Sequence, residues 1–214
     1  KTDVLVSPGE NNNSYRFVPN AVSSGGSWVV GENGISGVGQ YYAQAVTVKL
    51  APSADFEINR ELQGNANAAW VISTTDANDG VTARRITVNK AISVGTVTVG
   101  GVGSVLFNAA GGTAKGLTVN DSAKVVVNAG KQPCNGAVTL NGTSTLKVAQ
   151  SGTVTLGGKL ACAADTTLAF NFTARATAPT LTVSSADNFE LPETGTIKIR
   201  LTSDCDGASA SRKH

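Results

Sequence analysis

The chain lacks the residues on which several classes of active site depend. It has no methionine, its only histidine is His214 at the C-terminus, and aromatic residues make up 5% of its 214 residues. A single terminal histidine disfavours Ser-His-Asp and Cys-His catalysis. With so few large rings, the core must be built from Val, Leu, Ile, Ala and Thr. Such a composition favours short β-strands in closely spaced layers.

Charge is also scarce. Charged residues make up 15% of the chain and the net charge is +2, which gives no basis for binding nucleic acid. No apolar run approaches the length of a membrane-spanning helix, so we expect no membrane insertion. The chain begins at Lys1 and has no methionine, which predicts a processed chain or a part of a longer protein.

The three cysteines are Cys134, Cys162 and Cys205. An odd number leaves at least one thiol without an intramolecular partner. The spacing of Cys134 and Cys162 is close to the length of one sequence repeat, so a disulfide between them is geometrically possible. The alternative is that all three cysteines are unpaired thiols.

Short β-type triplets recur between Ile86 and Leu181, and taken alternately they form two series. Successive members of each series are 20 to 22 residues apart. One series is Ile86, Leu106, Val126, Leu146 and Leu168, and the other is Val97, Leu117, Val138, Leu160 and Leu181. A fixed period near 20 built from short strands predicts an all-β parallel β-helix, or β-solenoid. Both series would point into an aliphatic interior, so a charge at Val126 or Leu146 should unfold the protein.

Amide side chains share this period. Asn89, Asn108, Asn128 and Asn171 each follow a predicted strand, and Gln150 lies near the missing place. Asparagine tolerates the left-handed backbone of a sharp corner. Stacked amides can also hydrogen-bond from one repeat to the next, so we predict a structural ladder of these four asparagines.

The pattern divides the chain into three parts. Residues 1–45 are predicted to be an N-terminal capping segment, residues 46–203 the parallel β-helix, and residues 204–214 a flexible tail. The capping segment holds several aromatic residues, including Trp28, Tyr41 and Tyr42. They favour burial at the end of the helix, with a carbohydrate-stacking surface as the alternative.

Three other motifs have ordinary structural interpretations. Asp121 and Asp165 would lie on the same corner two repeats apart, at a spacing that suits an inverting glycosidase, but each has the sequence context of a turn. The stretch 76–80 lacks the closing glutamate of a calcium loop. Residues 191–195 read Leu-Pro-Glu-Thr-Gly, the pattern of a sortase sorting signal. No long apolar stretch follows it, so we expect a turn before a strand.

The repeats resemble those of bacterial autotransporter passenger regions, in particular the autotransporter-associated β-strand repeats. The resemblance is carried by GLTVNDSAKVVVNAG (116–130) and AVTLNGTSTLKVAQSGTVTLGG (137–158). It implies a single-stranded right-handed parallel β-helix, displayed at or released from a bacterial surface. It offers no catalytic motif to carry over.

We therefore expect a non-enzymatic structural or adhesin module, extracellular or on the bacterial outer surface. It would need no cofactor or metal, and its partners would be surface glycans, host or cell-surface proteins, or further copies of itself. One alternative is a carbohydrate-binding or polysaccharide-degrading β-helix protein, which predicts sugar-dependent quenching of Trp28 or Trp70 fluorescence. A second is a self-assembling extracellular filament subunit.

Overall fold

The computed structural model describes residues 27–28, 40–43, 47–52, 54–58, 61–64, 66–67, 69–109 and 114–204. Within these ranges the protein is all-β, and one short 3-10 turn, Ala186–Asn188, is its only helical element. Alternating Val, Thr, Leu and Ile residues account for this, because branched side chains pack well on a pleated surface.

Twenty short strands follow one another along the described chain. They are β1 (Ser27–Trp28), β2 (Gln40–Ala43), β3 (Thr47–Leu50), β4 (Phe56–Ile58), β5 (Glu61–Gly64), β6 (Ala69–Ser73), β7 (Arg85–Val88), β8 (Ile92–Ser93), β9 (Thr96–Gly100), β10 (Ser104–Phe107), β11 (Gly116–Val119), β12 (Lys124–Val127), β13 (Ala137–Leu140), β14 (Thr145–Val148), β15 (Gly152–Thr155), β16 (Leu160–Cys162), β17 (Thr167–Phe172), β18 (Pro179–Thr182), β19 (Phe189–Glu190) and β20 (Lys198–Ser203).

These strands form four sheets in which every neighbouring pair is parallel. Sheet 1 has the order β1-β3-β6-β9-β11-β13-β16-β19, and sheet 2 has the order β20-β17-β14-β12-β10-β7-β4. Sheet 3 has the order β2-β5-β8, and sheet 4 pairs β15 with β18. Because strands adjacent in a sheet are never consecutive in sequence, the chain leaves each sheet, contributes to another, and returns. The one antiparallel contact in the described residues is an isolated bridge between Thr75 and Ala83.

In sheet 2, side chains from equivalent positions stack in columns. The first inward column contains Ile86, Val105, Val125, Leu146 and Leu168, which are paired in register and all buried. The prediction that Leu106 and Val126 belong to this column is therefore wrong. Both lie on the opposite face of their strands and are only half-buried. Strands β10 and β12 have apolar residues on both faces, so their sequences do not show which residues point inward and which point outward.

Sheet 1 has a matching inward column. Trp70, Val97, Leu117, Val138 and Leu160 are paired in register and buried, and Phe189 continues the column at the edge.

The prediction that Leu181 follows Leu160 in this column is wrong. Leu181 pairs with Val154 in sheet 4, because the later repeats insert an additional strand that the two-series pattern did not anticipate.

A single hydrophobic cluster takes buried members from every sheet. Sheet 3 contributes Leu62 and Ile92, and sheet 4 contributes Val154, while Val88 and Val99 come from sheets 2 and 1. The sheets thus share one core rather than forming separate domains. Strands β1 and β2 lie inside the segment 1–45 and pair in parallel with β3 and β5. The tail from 205 onward lies outside the described residues.

Candidate functional site

Among the described strands, the passage from sheet 1 to sheet 2 forms a polar corner that recurs seven times. Its segments are residues 51–55, 74–84, 101–103, 120–123, 141–144, 163–166 and 191–197, each lying between a sheet 1 strand and the next sheet 2 strand. Residues 74–84 form the longest of these segments. We call residues 74–84 the long loop. It is the largest excursion at this corner, and it is the main candidate for a functional surface.

An ion pair closes the base of the long loop. The guanidinium of Arg84 donates to Asp76 Oδ2, from Nε at 2.7 Å and also from Nη2. Asp76 is buried, and its Oδ1 accepts the backbone N–H of Asn78 at 2.6 Å. The Arg84 hydrogen bond and then the Asn78 hydrogen bond lower the pKa of Asp76. Asp76 therefore stays ionised at neutral pH and fixes the loop.

A second carboxylate organises the tip of the long loop. Asp79 Oδ1 accepts the backbone N–H groups of Val81 at 2.8 Å and Thr82 at 2.9 Å, and its Oδ2 accepts the Thr82 hydroxyl. These bonds, the Thr82 hydroxyl first, lower the pKa of Asp79 to about 2. The acidic side chains of the stretch 76–80 thus accept hydrogen bonds from groups within the long loop itself, including Arg84. No cluster of three potential metal ligands occurs among the described residues.

Hydrogen bonds to the corresponding turn of the next repeat anchor the long loop. Thr74 Oγ1 donates to the carbonyl of Gly100 at 2.8 Å and accepts the N–H of Gly103 at 2.9 Å, and Thr75 Oγ1 accepts the N–H of Val102 at 3.2 Å. Gly101 has a φ of +100°, and a Cβ there would lie 2.4 Å from Thr75 Oγ1. Only glycine fits this close approach.

The anchored loop exposes apolar side chains. Val81, at the tip, is 73% exposed, and Val102, on the adjacent turn, is 46% exposed. Sequence reasoning missed this feature, because the hydrogen bonds that anchor the loop to the next repeat join residues more than twenty positions apart. The signal in the sequence was the acidic pair Asp76 and Asp79 followed by Arg84. The corner thus exposes two apolar side chains, one on the hydrogen-bonded long loop and one on the turn to which it is anchored.

The asparagines lie at the end of the sheet 2 strands. Asn108 Nδ2 donates to Asn89 Oδ1, and Asn128 Nδ2 donates to Asn108 Oδ1, each at 3.1 Å. Asn89 Nδ2 in turn donates to Glu57 Oε2 at 3.1 Å. Together with Glu57, the three asparagines form a continuous hydrogen-bonded series across four repeats, and we call these three asparagines the amide ladder.

The amide ladder stops after Asn128. Ala149, rather than Gln150, follows the next strand and occupies the equivalent place. Asn171 is buried one repeat further on, where its Nδ2 donates to the Ala149 carbonyl at 3.1 Å and to Asp204. Asn171 therefore hydrogen-bonds to backbone and carboxylate groups instead of joining the three stacked amides.

Asp121 and Asp165 both lie at the polar corner, and both have a left-handed backbone, with φ values of 58° and 67°. Asp121 Oδ2 accepts the N–H of Gly101 at 2.9 Å, whereas Asp165 Oδ1 lies 3.4 Å from Nζ of Lys198. Each carboxylate thus has a separate local partner, and no group bridges the two. Asn141 Nδ2 donates to Asn120 Oδ1 at 2.9 Å in the same corner.

No disulfide joins Cys134 and Cys162, and both are free, buried thiols. Cys162 pairs in register with Leu140, whereas Cys134 precedes strand β13. The two cysteines are therefore offset along the strand direction, and the structure has the unpaired thiols that were the alternative to a disulfide. Burial raises the pKa of each thiol to about 11. Both are neutral at physiological pH and unsuited to nucleophilic chemistry. Cys205 lies outside the described residues.

The predicted stacking aromatics are described only in part. Trp28 lies in β1, and Tyr41 and Tyr42 lie in β2, but their side chains are outside the described part of the structure. Trp70 is a member of the buried core at 4% exposure, so it does not offer a stacking face to a sugar. Residues 191–195 connect β19 to β20, which pairs with β17.

Comparisons with known proteins provide no relatives for this arrangement. The chain matches no known protein family, no curated protein and no solved structure. Among the described residues, no helix is long and apolar enough to cross a membrane.

Proposed function

We propose that this chain is a stiff, non-enzymatic module of an extracellular or bacterial surface protein, and that it presents the long loop to a partner. The proposed scaffold is a single-stranded right-handed parallel β-helix. Two features support it, the parallel pairing throughout the sheets and the single core shared by all four. Right-handedness is expected because crossover connections between parallel strands almost always have that hand.

The observation that carries the proposal is the fixing of a long, apolar-tipped loop to a regular stack. Loop residues are mobile unless hydrogen bonds or packing hold them. Here Asp76 and Arg84 close the loop, while Thr74 and Thr75 bind the following turn. A loop held in one conformation loses little conformational entropy on binding. Val81 and Val102 are therefore already positioned to contact a binding partner.

The similarity of the repeats to autotransporter passengers supports placing this module at a bacterial surface. The partner would be a cell-surface protein or a surface glycan. The described carboxylates and thiols do not favour a hydrolase, because Asp121 and Asp165 are each engaged by a separate partner and burial raises the pKa of both described cysteines. We therefore propose adhesion rather than catalysis.

The test is the adhesion of beads coated with the full chain to bacterial and animal cells. We expect the wild-type chain to adhere and V81D/V102D to lose most of that adhesion, with an unchanged unfolding temperature. The matched control is T180D, which adds a charge at an exposed position of β18 and should adhere like the wild type. Absence of adhesion on every cell type would contradict the proposal. So would release of new reducing ends from a polysaccharide panel.

A further inference from the structure

The last repeat leaves three strand edges and four large apolar side chains uncovered in the described structure. Strand β19 is the edge of sheet 1, β20 is the edge of sheet 2, and β18 is an edge of the two-stranded sheet 4. Phe189 is 37% exposed, Leu191 54%, Ile199 57% and Leu201 65%. Edge strands with unpaired backbone groups and apolar side chains pair readily with another strand.

The edges of sheets 1 and 2 have matching patterns with opposite charges. Strand β19 is Phe189–Glu190 and is followed by Leu191, and β20 contains Ile199, Arg200 and Leu201. Each edge therefore has a charged residue between two apolar ones, acidic on one edge and basic on the other. Glu190 is 56% exposed at its side chain even though it pairs with Lys159, and Arg200 is exposed.

We propose that two copies of this chain associate tail to tail through these edges, as a closed two-fold dimer. The inference rests on the β-helical arrangement given under the proposed function. A two-fold axis across the end of the stack reverses strand direction, so β19 of one copy would pair antiparallel with β20 of its partner. Glu190 then faces the partner's Arg200, and each contact occurs twice.

The apolar residues agree with the same register. With Glu190 opposite Arg200, Phe189 falls opposite Leu201 and Leu191 falls opposite Ile199. Inward side chains therefore meet inward side chains, and the two cores become continuous. Pairing of β20 with a second β20 would instead place Arg200 near Arg200, and like charges directly opposite destabilise a strand pair.

Residues 205–214 are a poor occupant of this end. Residues 205–214 read Cys-Asp-Gly-Ala-Ser-Ala-Ser-Arg-Lys-His. They include no aliphatic residue larger than alanine and no phenylalanine, tyrosine or tryptophan. They cannot supply alternating apolar side chains to meet Ile199 and Leu201. A second copy, which carries both complementary edges, fits better.

The test is analytical ultracentrifugation of the full chain over a range of concentrations. We expect a monomer–dimer equilibrium that stops at the dimer. E190R and R200E should each raise the dimer Kd by at least about tenfold, because each makes both charged contacts repulsive. An equimolar mixture of the two variants should recover the wild-type Kd as a heterodimer, since every contact in it is again between opposite charges. The matched control K147E reverses a charge on β14 away from the end and should leave the Kd unchanged.

Several results would overturn the proposal. A monomer at all concentrations would mean that no second copy covers this end, whether or not residues 205–214 do so. Open-ended growth would indicate head-to-tail association, and a mixture that fails to dimerise would exclude the charge pairing. Circular dichroism and the unfolding temperature of each variant establish that the monomer is folded. Bead adhesion is measured separately, so failure of this inference is distinguishable from failure of the proposed function.

Discussion

One inward column of sheet 2 has different surroundings in the middle of the stack and at its C-terminal end. Leu146, on β14, has a strand on each side and is 1% exposed, whereas Ile199, at the same column position on β20, is 57% exposed. Both residues are aliphatic and both point inward. The difference shows that a side chain in this fold is buried by the repeats on either side of it, as expected for a repeat protein.

The largest expected effect comes from truncating the two residues of that column. L146A should lower the free energy of unfolding by about 2–5 kcal/mol, because it leaves a cavity in a closed core. I199A should lower it by less than about 1 kcal/mol, since the side chain is already largely in water. Urea denaturation below the concentration at which copies associate measures both. Equal losses of unfolding free energy would contradict the difference between the middle and the end of the stack.

A glycine in the middle of the stack tests how closely the repeats approach. A Cβ at Gly136 would lie 1.4 Å from the carbonyl oxygen of Lys115 in the preceding repeat. Because that neighbour is backbone, G136A should destabilise the protein by about 1–3 kcal/mol.

The matched control is G116A, where a Cβ would lie 3.6 Å from its nearest neighbour, an ordinary contact. Thermal unfolding of both variants gives the comparison. An unchanged unfolding temperature for G136A would mean that adjacent repeats are farther apart than this structure has them.

The amide ladder offers a smaller version of the same comparison. N108A removes two amide hydrogen bonds in the middle of the stack and should cost about 1 kcal/mol. Thr202, near the end, makes a hydrogen bond from Oγ1 to Asn171 Oδ1 at 2.8 Å, and T202A should cost about half as much. Chemical denaturation measures both losses. A larger loss for T202A would contradict the account.

The smallest expected effect is the pH dependence of the long loop. Asp79 has a pKa of about 2 in the folded protein, below its ordinary value of 3.8. Its stabilising contribution is therefore complete above that ordinary value and is lost as the pH falls through the folded pKa. D79N should make the fall in unfolding temperature over this acid range shallower, and T82A should do so in part. An unchanged slope for D79N would contradict the assigned hydrogen bonds.

The period of the sequence was sufficient to predict strands and their parallel pairing, but it left their register undetermined. Val125, Val126 and Val127 are all apolar, so sequence alone does not say which of them faces inward. Pairing with Leu146 places Val125 inside. A one-residue shift moves every side chain to the opposite face, and this is why Leu106 and Val126 were misassigned.

The candidate site was harder to predict than the fold. The long loop depends on contacts such as Thr74 with Gly103 and Thr75 with Val102, which join separate repeats. The acidic pair Asp76 and Asp79 followed by Arg84 is a local signal for an ion pair, but it does not say which carboxylate is buried. In the same way, the offset between Cys134 and Cys162 depends on the length of an intervening loop, which the average period obscures.

The parallel register of the stack is tested most directly by distances between spin labels at one register position of successive sheet 1 strands. Lys49, Val71, Thr98, Thr118, Thr139 and Ala161 occupy that register position in order. Labels at 49 and 139 should be about 19 Å apart, and labels at 49 and 161 about 24 Å apart, because each repeat adds about 4.8 Å. Cys205 would be replaced by serine, while Cys134 and Cys162 are buried and resist labelling. Distances that grow by one strand spacing per repeat are the predicted result, and a distance that fails to grow from 139 to 161 would contradict the account.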